Sequence, residues 1–121
     1  MLKEENRLKA NCAYNATYNN KNVFTTDLLV MYAGKQKENK DYPTKVGFVV
    51  SKKIHKRAVR RNRIKRLIRE NFRLLLKDNN PTINTYQSII IMPKYDISNK
   101  TYAEINKSIL ILLNKLANKN I

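Results

Sequence analysis

Between Arg57 and Lys77 one stretch of chain must serve two environments at once. Ile64, Leu67, Ile68, Phe72, Leu75 and Leu76 recur at spacings of three and four, which predicts a helix with a single apolar stripe. The same region holds Lys52, Lys53, Lys56, Arg57, Arg60, Arg61, Arg63, Lys65, Arg66, Arg69 and Arg73, with Glu70 as its single acid. At about 100° per residue, Asn62, Arg66, Arg69 and Arg73 fall on the side away from Ile64, Ile68 and Leu75. One side of this helix therefore needs a core, and the other needs water or a polyanion. A merely solvated face mixes signs so that residues four apart can pair, and this one almost omits the acids. Arginine also outnumbers lysine there, and its planar fork suits bidentate contact with phosphate and stacking on bases.

The rest of the chain shares that bias. Twenty-five Lys and Arg face nine Asp and Glu over 121 residues, a formal charge of +16 that repels itself unless a polyanion neutralises it. Nucleic acid is the expected partner. A hydrophobic fraction of 42% with 2 Gly and 3 Pro excludes a disordered or collagen-like chain, and the length suits one domain spanning 1–121. No apolar run approaches the roughly 20 residues of a membrane span. Met1 to Ala10 lacks the apolar stretch of a signal peptide, and the single Cys12 cannot form an internal disulfide, so a reducing cytoplasm is expected.

Along the chain, residues 1–9 alternate charges around isolated leucines and read as a tail that orders only against something else. Asn11 to Asn19 predicts a short helix capped by Asn11, with Cys12, Ala13, Ala16 and Thr17 as residues it could bury. Tyr14 and Tyr18, four apart, share one of its faces. Leu28 to Tyr32 predicts a strand with Val30 and Tyr32 on one side and Leu29 and Met31 on the other. After a polar loop, Lys45 to Ser51 predicts a second strand, Val46, Phe48 and Val50 alternating with Gly47 and Val49, and a hairpin of these two strands is expected.

Asp78, Asn79, Asn80 and Pro81 stop the basic helix. Ile89, Ile90 and Ile91 in succession then predict a strand covered on both faces, ended by Pro93. Thr101 and Glu104 form a capping box ahead of a last helix whose stripe is Ile105, Ile109, Leu112, Leu113 and Leu116. The predicted fold is an α+β two-layer sandwich of order α-β-β-β-α-β-α, with helices over one face of a central mixed sheet. Met31, Met92 and Cys12 are expected in its core.

A protein active site finds no support. His55 is the single histidine, and Asp27, Glu70, Asp96 and Glu104 are scattered without the D-x-D or E-x-x-H spacing that would hold metals for phosphodiester hydrolysis. The expectation is no protein-held metal and no organic cofactor.

Lys45-Val46-Gly47-Phe48-Val49-Val50-Ser51-Lys52-Lys53, followed by Arg61-Asn62-Arg63-Ile64-Lys65-Arg66-Leu67-Ile68-Arg69-Glu70, closely resembles the bacterial ribonuclease P protein family. Arg7-Leu8, Tyr14 and Tyr18, the strand ending in Tyr32, the Ser88 to Met92 strand and the last helix follow the same order. The resemblance implies an RNA partner rather than a nuclease in its own right. The family joins a catalytic RNA that removes the 5′ leader from precursor tRNA, with hydrolysis performed by magnesium bound mainly by the RNA. It further implies that Arg61, Asn62 and Arg63, with Lys52, Lys53, Arg57, Arg60, Lys65, Arg66, Arg69 and Arg73, contact the catalytic RNA.

A cleft between first helix and sheet would receive the unpaired leader on Tyr14, Tyr18, Val30 and Tyr32, where stacking supplies the physics. The resemblance also implies a left-handed crossover containing the basic helix, against the right-handed one expected from general topology. From the sequence itself, no membrane association is expected and no obligate protein partner is evident. The chain departs from the family at Lys21, where a glycine is usual, at Tyr14 and Tyr18, often phenylalanine, and at Ile54-His55-Lys56-Arg57, which fills a connection often holding glycine. A ribosomal or other structural RNA-binding protein, a DNA-binding helix module and a self-sufficient nuclease are the competing readings.

Overall fold

In the computed structural model, residues 6–9, 11–20, 22–38, 43–77, 81–97 and 99–119 are described. They run α1 (Asn11–Asn19), β1 (Asn22–Thr25), β2 (Leu29–Ala33), β3 (Lys45–Phe48), α2 (Ala58–Lys77), the one-turn α3 (Pro81–Asn84), β4 (Ser88–Pro93) and α4 (Tyr102–Lys119). The expected α+β order and mixed sheet are both present. Ile89, Ile90 and Ile91 are each fully buried, as a strand covered on both faces requires.

That double burial decides the topology. The strand order is β1-β2-β4-β3, with β4 antiparallel to β2 and parallel to β3. The expected hairpin of the Leu28 and Lys45 strands therefore does not form. The strand apolar on both faces takes the central place between them, where its two edges are also hydrogen-bonded. The hairpin partner of β2 is instead β1, whose alternate half-exposed residues left no apolar run to detect. Thr26 shapes their turn: its hydroxyl accepts the N–H groups of Leu28 and Leu29 at 3.3 and 3.1 Å.

Odd residues of β2 and β4 face the main core. Leu29, Met31, Ala33, Ile89 and Ile91 meet Ile64, Ile68 and Phe72 of α2 and Ile105, Ile109, Leu112 and Leu116 of α4. Phe48 lies edge-on to Phe72 with ring centroids 5.9 Å apart. The stripes predicted for both long helices are thus the buried ones. The capping box also forms, with Glu104 Oε2 accepting from Thr101 N–H at 2.9 Å and Thr101 Oγ1 accepting from Glu104 N–H at 3.2 Å.

The other face of the sheet is covered in part by α1. Thr17 is buried there, its hydroxyl bonded to Ser88 Oγ at 2.5 Å and donating to Ala13 O at 2.9 Å. Cys12 and Ala16 are exposed and Ala13 is half-buried, against expectation. A nine-residue helix lying across a sheet buries one narrow line, and Thr17 and the tyrosines occupy it. Met92, paired with Val30, lies half-buried on this same face rather than in the main core, because its even position in β4 points it away from α2.

Residues 6–9 of the expected tail run beside β3. Arg7 bridges Val46, Leu8 N–H donates to Val46 O at 3.1 Å, and Asn6 Nδ2 donates to Thr44 O at 2.9 Å. Leu8 is buried there, and the outer edge of β3 gains partners. Residues 1–5, Lys21, and the Asp78, Asn79 and Asn80 helix stop lie outside the described residues.

Candidate nucleic-acid interface

With Ile64, Ile68 and Phe72 fully buried, the opposite side of α2 has to face outward. Arg60, Asn62, Arg63, Arg66 and Arg73 are exposed on it, and Lys65 and Arg69 are half-buried at its borders. Lys52, Lys53, Lys56 and Arg57 are exposed in the turn that leads into the helix. The first turn of α2 holds no acid. The positive end of the helix dipole therefore adds to the cations around it, which raises the local affinity for an anion.

Arg61 and Arg73, both predicted phosphate ligands, show what their partners within the chain are. Arg73 Nε lies 3.3 Å from Glu70 Oε2, an exposed pair one turn apart. Arg61 is half-buried and turns back: its Nη1 donates to the carbonyl oxygens of His55 at 3.0 Å and Lys56 at 2.7 Å. His55 is engaged as well. Its Nδ1 accepts the N–H of Arg57 at 3.0 Å, and its Nε2 stands 3.9 Å from Asp96 Oδ2. Sequence reasoning missed these contacts, since an arginine in a basic run carries no sign of bonding backward to the loop before its helix.

On the other face of the sheet, the four cleft residues read from the resemblance come together. Tyr18 and Tyr32 meet edge to face, centroids 4.8 Å apart at 83°. Tyr14 brings the hydroxyl edge of its ring against Gly47: a Cβ added to Gly47 would stand 2.5 to 2.8 Å from the hydroxyl oxygen, Cε1 and Cζ of that ring. Val30 shares the face of Tyr32, and Val30 and the three tyrosines are half-buried, each leaving part of its surface to solvent. Gly47 joins this face beside Tyr14, although in the sequence it stands only as one member of the alternation over residues 46–50. A glycine inside a strand is a signal of close approach by another group, and here that group is an aromatic ring.

Burial pushes the Tyr14 hydroxyl above its ordinary pKa. Tyr18 is raised too, first by burial and then by the phenols of Tyr32 and Tyr14, whose ionisation would bring like charges together. The hydroxyls therefore stay neutral, able both to donate and to accept. An apolar, aromatic cleft with neutral polar tips suits an unpaired nucleic-acid strand, and a cationic helix face suits a folded phosphate backbone.

Among the described residues, no group of three or more His, Cys, Asp or Glu side chains could hold a metal ion, and no helix is long and apolar enough to cross a membrane.

A sequence model of the family described as Ribonuclease P matches residues 2–117. The ribonuclease P protein component of Clostridium kluyveri is 39% identical over 109 residues, covering 90% of this chain and 92% of that protein. The crystallised RNase P protein of Staphylococcus aureus superposes with a TM-score of 0.68 at 30% identity, over 90% of this chain and 93% of that one. The RNase P protein of Thermotoga maritima has the same fold, with a TM-score of 0.70 at 21% identity over 90% of this chain and 96% of that one.

Proposed function

The chain belongs to the ribonuclease P protein family, and from that membership we propose that it is the protein subunit of a ribonucleoprotein endoribonuclease that matures the 5′ end of tRNA. The catalytic RNA binds the outer face of α2 and the turn before it, through Lys52, Lys53, Arg57, Arg60, Asn62, Arg63, Lys65, Arg66 and Arg69, with Arg61 and Arg73 at its margins. The unpaired leader of precursor tRNA lies in the cleft of Tyr14, Tyr18, Val30 and Tyr32. Magnesium held mainly by the RNA supplies the hydrolytic chemistry, and the protein contributes no catalytic residue and no organic cofactor. The work takes place in the cytoplasm.

The observation that supports this reading best is the division of α2 into a fully buried apolar side and an exposed side that is almost purely cationic. Brought against RNA, that side replaces condensed counterions and lowers the repulsion between catalytic RNA and substrate phosphates. The same neutralisation would help magnesium occupy the RNA active site at physiological salt.

The cleft is tested by comparing precursor and mature tRNA as ligands of the holoenzyme. Changing Tyr14, Tyr18 and Tyr32 together to Ala is expected to weaken precursor binding by about 1–3 kcal/mol for each stack lost and to spare mature tRNA. Equal losses for both ligands would contradict leader contact.

A further inference from the structure

The connection between β3 and α2 contains an arrangement that the cationic face does not account for. Ser51 O accepts the N–H of Ile54 at 3.0 Å and closes a turn with the exposed Lys52 and Lys53 at its tip. Ile54 then packs against the core. Beyond it, the His55 ring accepts the N–H of Arg57 through Nδ1, so the proton of the neutral ring sits on Nε2, the atom facing Asp96 in the segment after β4. From within the helix, Arg61 reaches back with one guanidinium nitrogen bonded to the carbonyl oxygens of both His55 and Lys56. Donor and acceptor from opposite ends thus clasp the same three residues.

This arrangement differs from an ordinary phosphate contact in two respects. Arg61 is half-buried while Arg60, Asn62 and Arg63 beside it are exposed, and its Nη1 is already taken by two carbonyl groups. His55 meets the unsatisfied start of the helix in the way a short polar side chain does in an N-cap, accepting a backbone N–H two residues on. Left unclasped, the stretch from Lys52 to Arg57 would carry four cations through several backbone conformations, and binding would have to pay the entropy of ordering them.

We propose that His55 and Arg61 are positioning residues. They hold the β3–α2 turn against the start of α2, so that Lys52, Lys53 and the arginine face of the helix meet the catalytic RNA as one preformed surface. This rests on the RNA-subunit reading above. It assigns Arg61 a role that acts through the lysines of the turn, where the resemblance implies direct contact with RNA.

The two roles separate in the salt dependence of binding. Losing a phosphate contact lowers the slope of log affinity against log salt by about 0.9 for duplex-like RNA, whereas losing preorganisation shifts affinity equally at every salt. In titrations of the full chain with a bacterial ribonuclease P RNA, His55→Ala and Arg61→Lys are each expected to bind about fivefold to tenfold more weakly, the range of an N-terminal cap, with the slope unchanged. The double variant is expected to lose little more than either single one, because both act on one turn. His55→Asn, which restores an acceptor for the Arg57 N–H, is expected to regain wild-type affinity. Amide exchange at Arg57 should quicken in His55→Ala and return to normal in His55→Asn.

Wild-type affinity for Arg61→Lys together with a reduced slope for Arg61→Gln would make Arg61 an ordinary phosphate ligand and overturn the proposal. Failure of His55→Asn to rescue would overturn it as well. If the wild-type chain binds with a steep salt slope and only these variants behave as wild type, the RNA-subunit reading stands and the positioning role falls. If the wild-type chain does not bind the RNA at all, both fall.

Discussion

Gly47 shows how far a single residue controls the cleft. Its missing side chain is what lets the Tyr14 ring lie against the sheet, and any Cβ there would fall inside the ring's van der Waals radius. Gly47→Ala is expected to lift Tyr14 out of the cleft, costing about 1–3 kcal/mol of stability as an overpacked site does. Precursor binding should fall with it and mature tRNA binding should hold, as measured by thermal unfolding and ligand titration; an unchanged stability and affinity would refute the close contact. Tyr14 and Tyr18 themselves give a pH signature. Their folded pKa values lie above the ordinary 10.0 of the unfolded chain, so the neutral form is favoured by folding. This contribution is fully present below pH 10 and is lost as pH rises through 10 toward the folded values. A tyrosinate absorbance titration is expected to show late-ionising phenols that disappear in Tyr14→Phe and Tyr18→Phe; ionisation of every tyrosine at the ordinary value would contradict the burial. At this scale the sequence was uneven: the spacing of Tyr14 and Tyr18 put them on one face, yet Cys12 on the same helix is exposed because spacing alone does not say how wide the buried line is.

At the scale of elements, the strongest patterns were also the most legible. The stripe of α2 and the capping box of α4 formed as read, because each is a local rule satisfied by residues three or four apart. What local rules could not show was the backward reach of Arg61 or the pairing of Arg73 with Glu70, both set by where a long side chain finds an acceptor. The cationic side of α2 should act as a unit in solution. Changing Arg63, Arg66 and Arg69 together to Gln is expected to flatten the salt slope of catalytic-RNA binding by about 2 to 3, near 0.9 per duplex phosphate contact. Circular dichroism should stay unchanged, since none of the three lies on the buried stripe. An unaltered slope would remove this face from the interface.

For the whole molecule, the sheet order was the part least visible in advance. Pairing β4 between β2 and β3 joins residues more than forty positions apart, as in Val46 with Ile89, and nothing in either strand alone names its neighbour. The same ordering creates two separate surfaces. The core that α2 and α4 share on one face leaves the cationic side of α2 outward, while α1 and the opposite face enclose the tyrosines. A charge of +16 on a chain of this size repels itself unless a polyanion neutralises it, which is what the RNA-subunit reading supplies. The most direct measurement is cleavage of precursor tRNA at limiting magnesium by a bacterial ribonuclease P RNA, with and without this protein, beside a control containing protein alone. The account predicts stimulation by the combination and no cleavage by the protein alone. Cleavage by protein alone, or no stimulation of a compatible RNA, would contradict it.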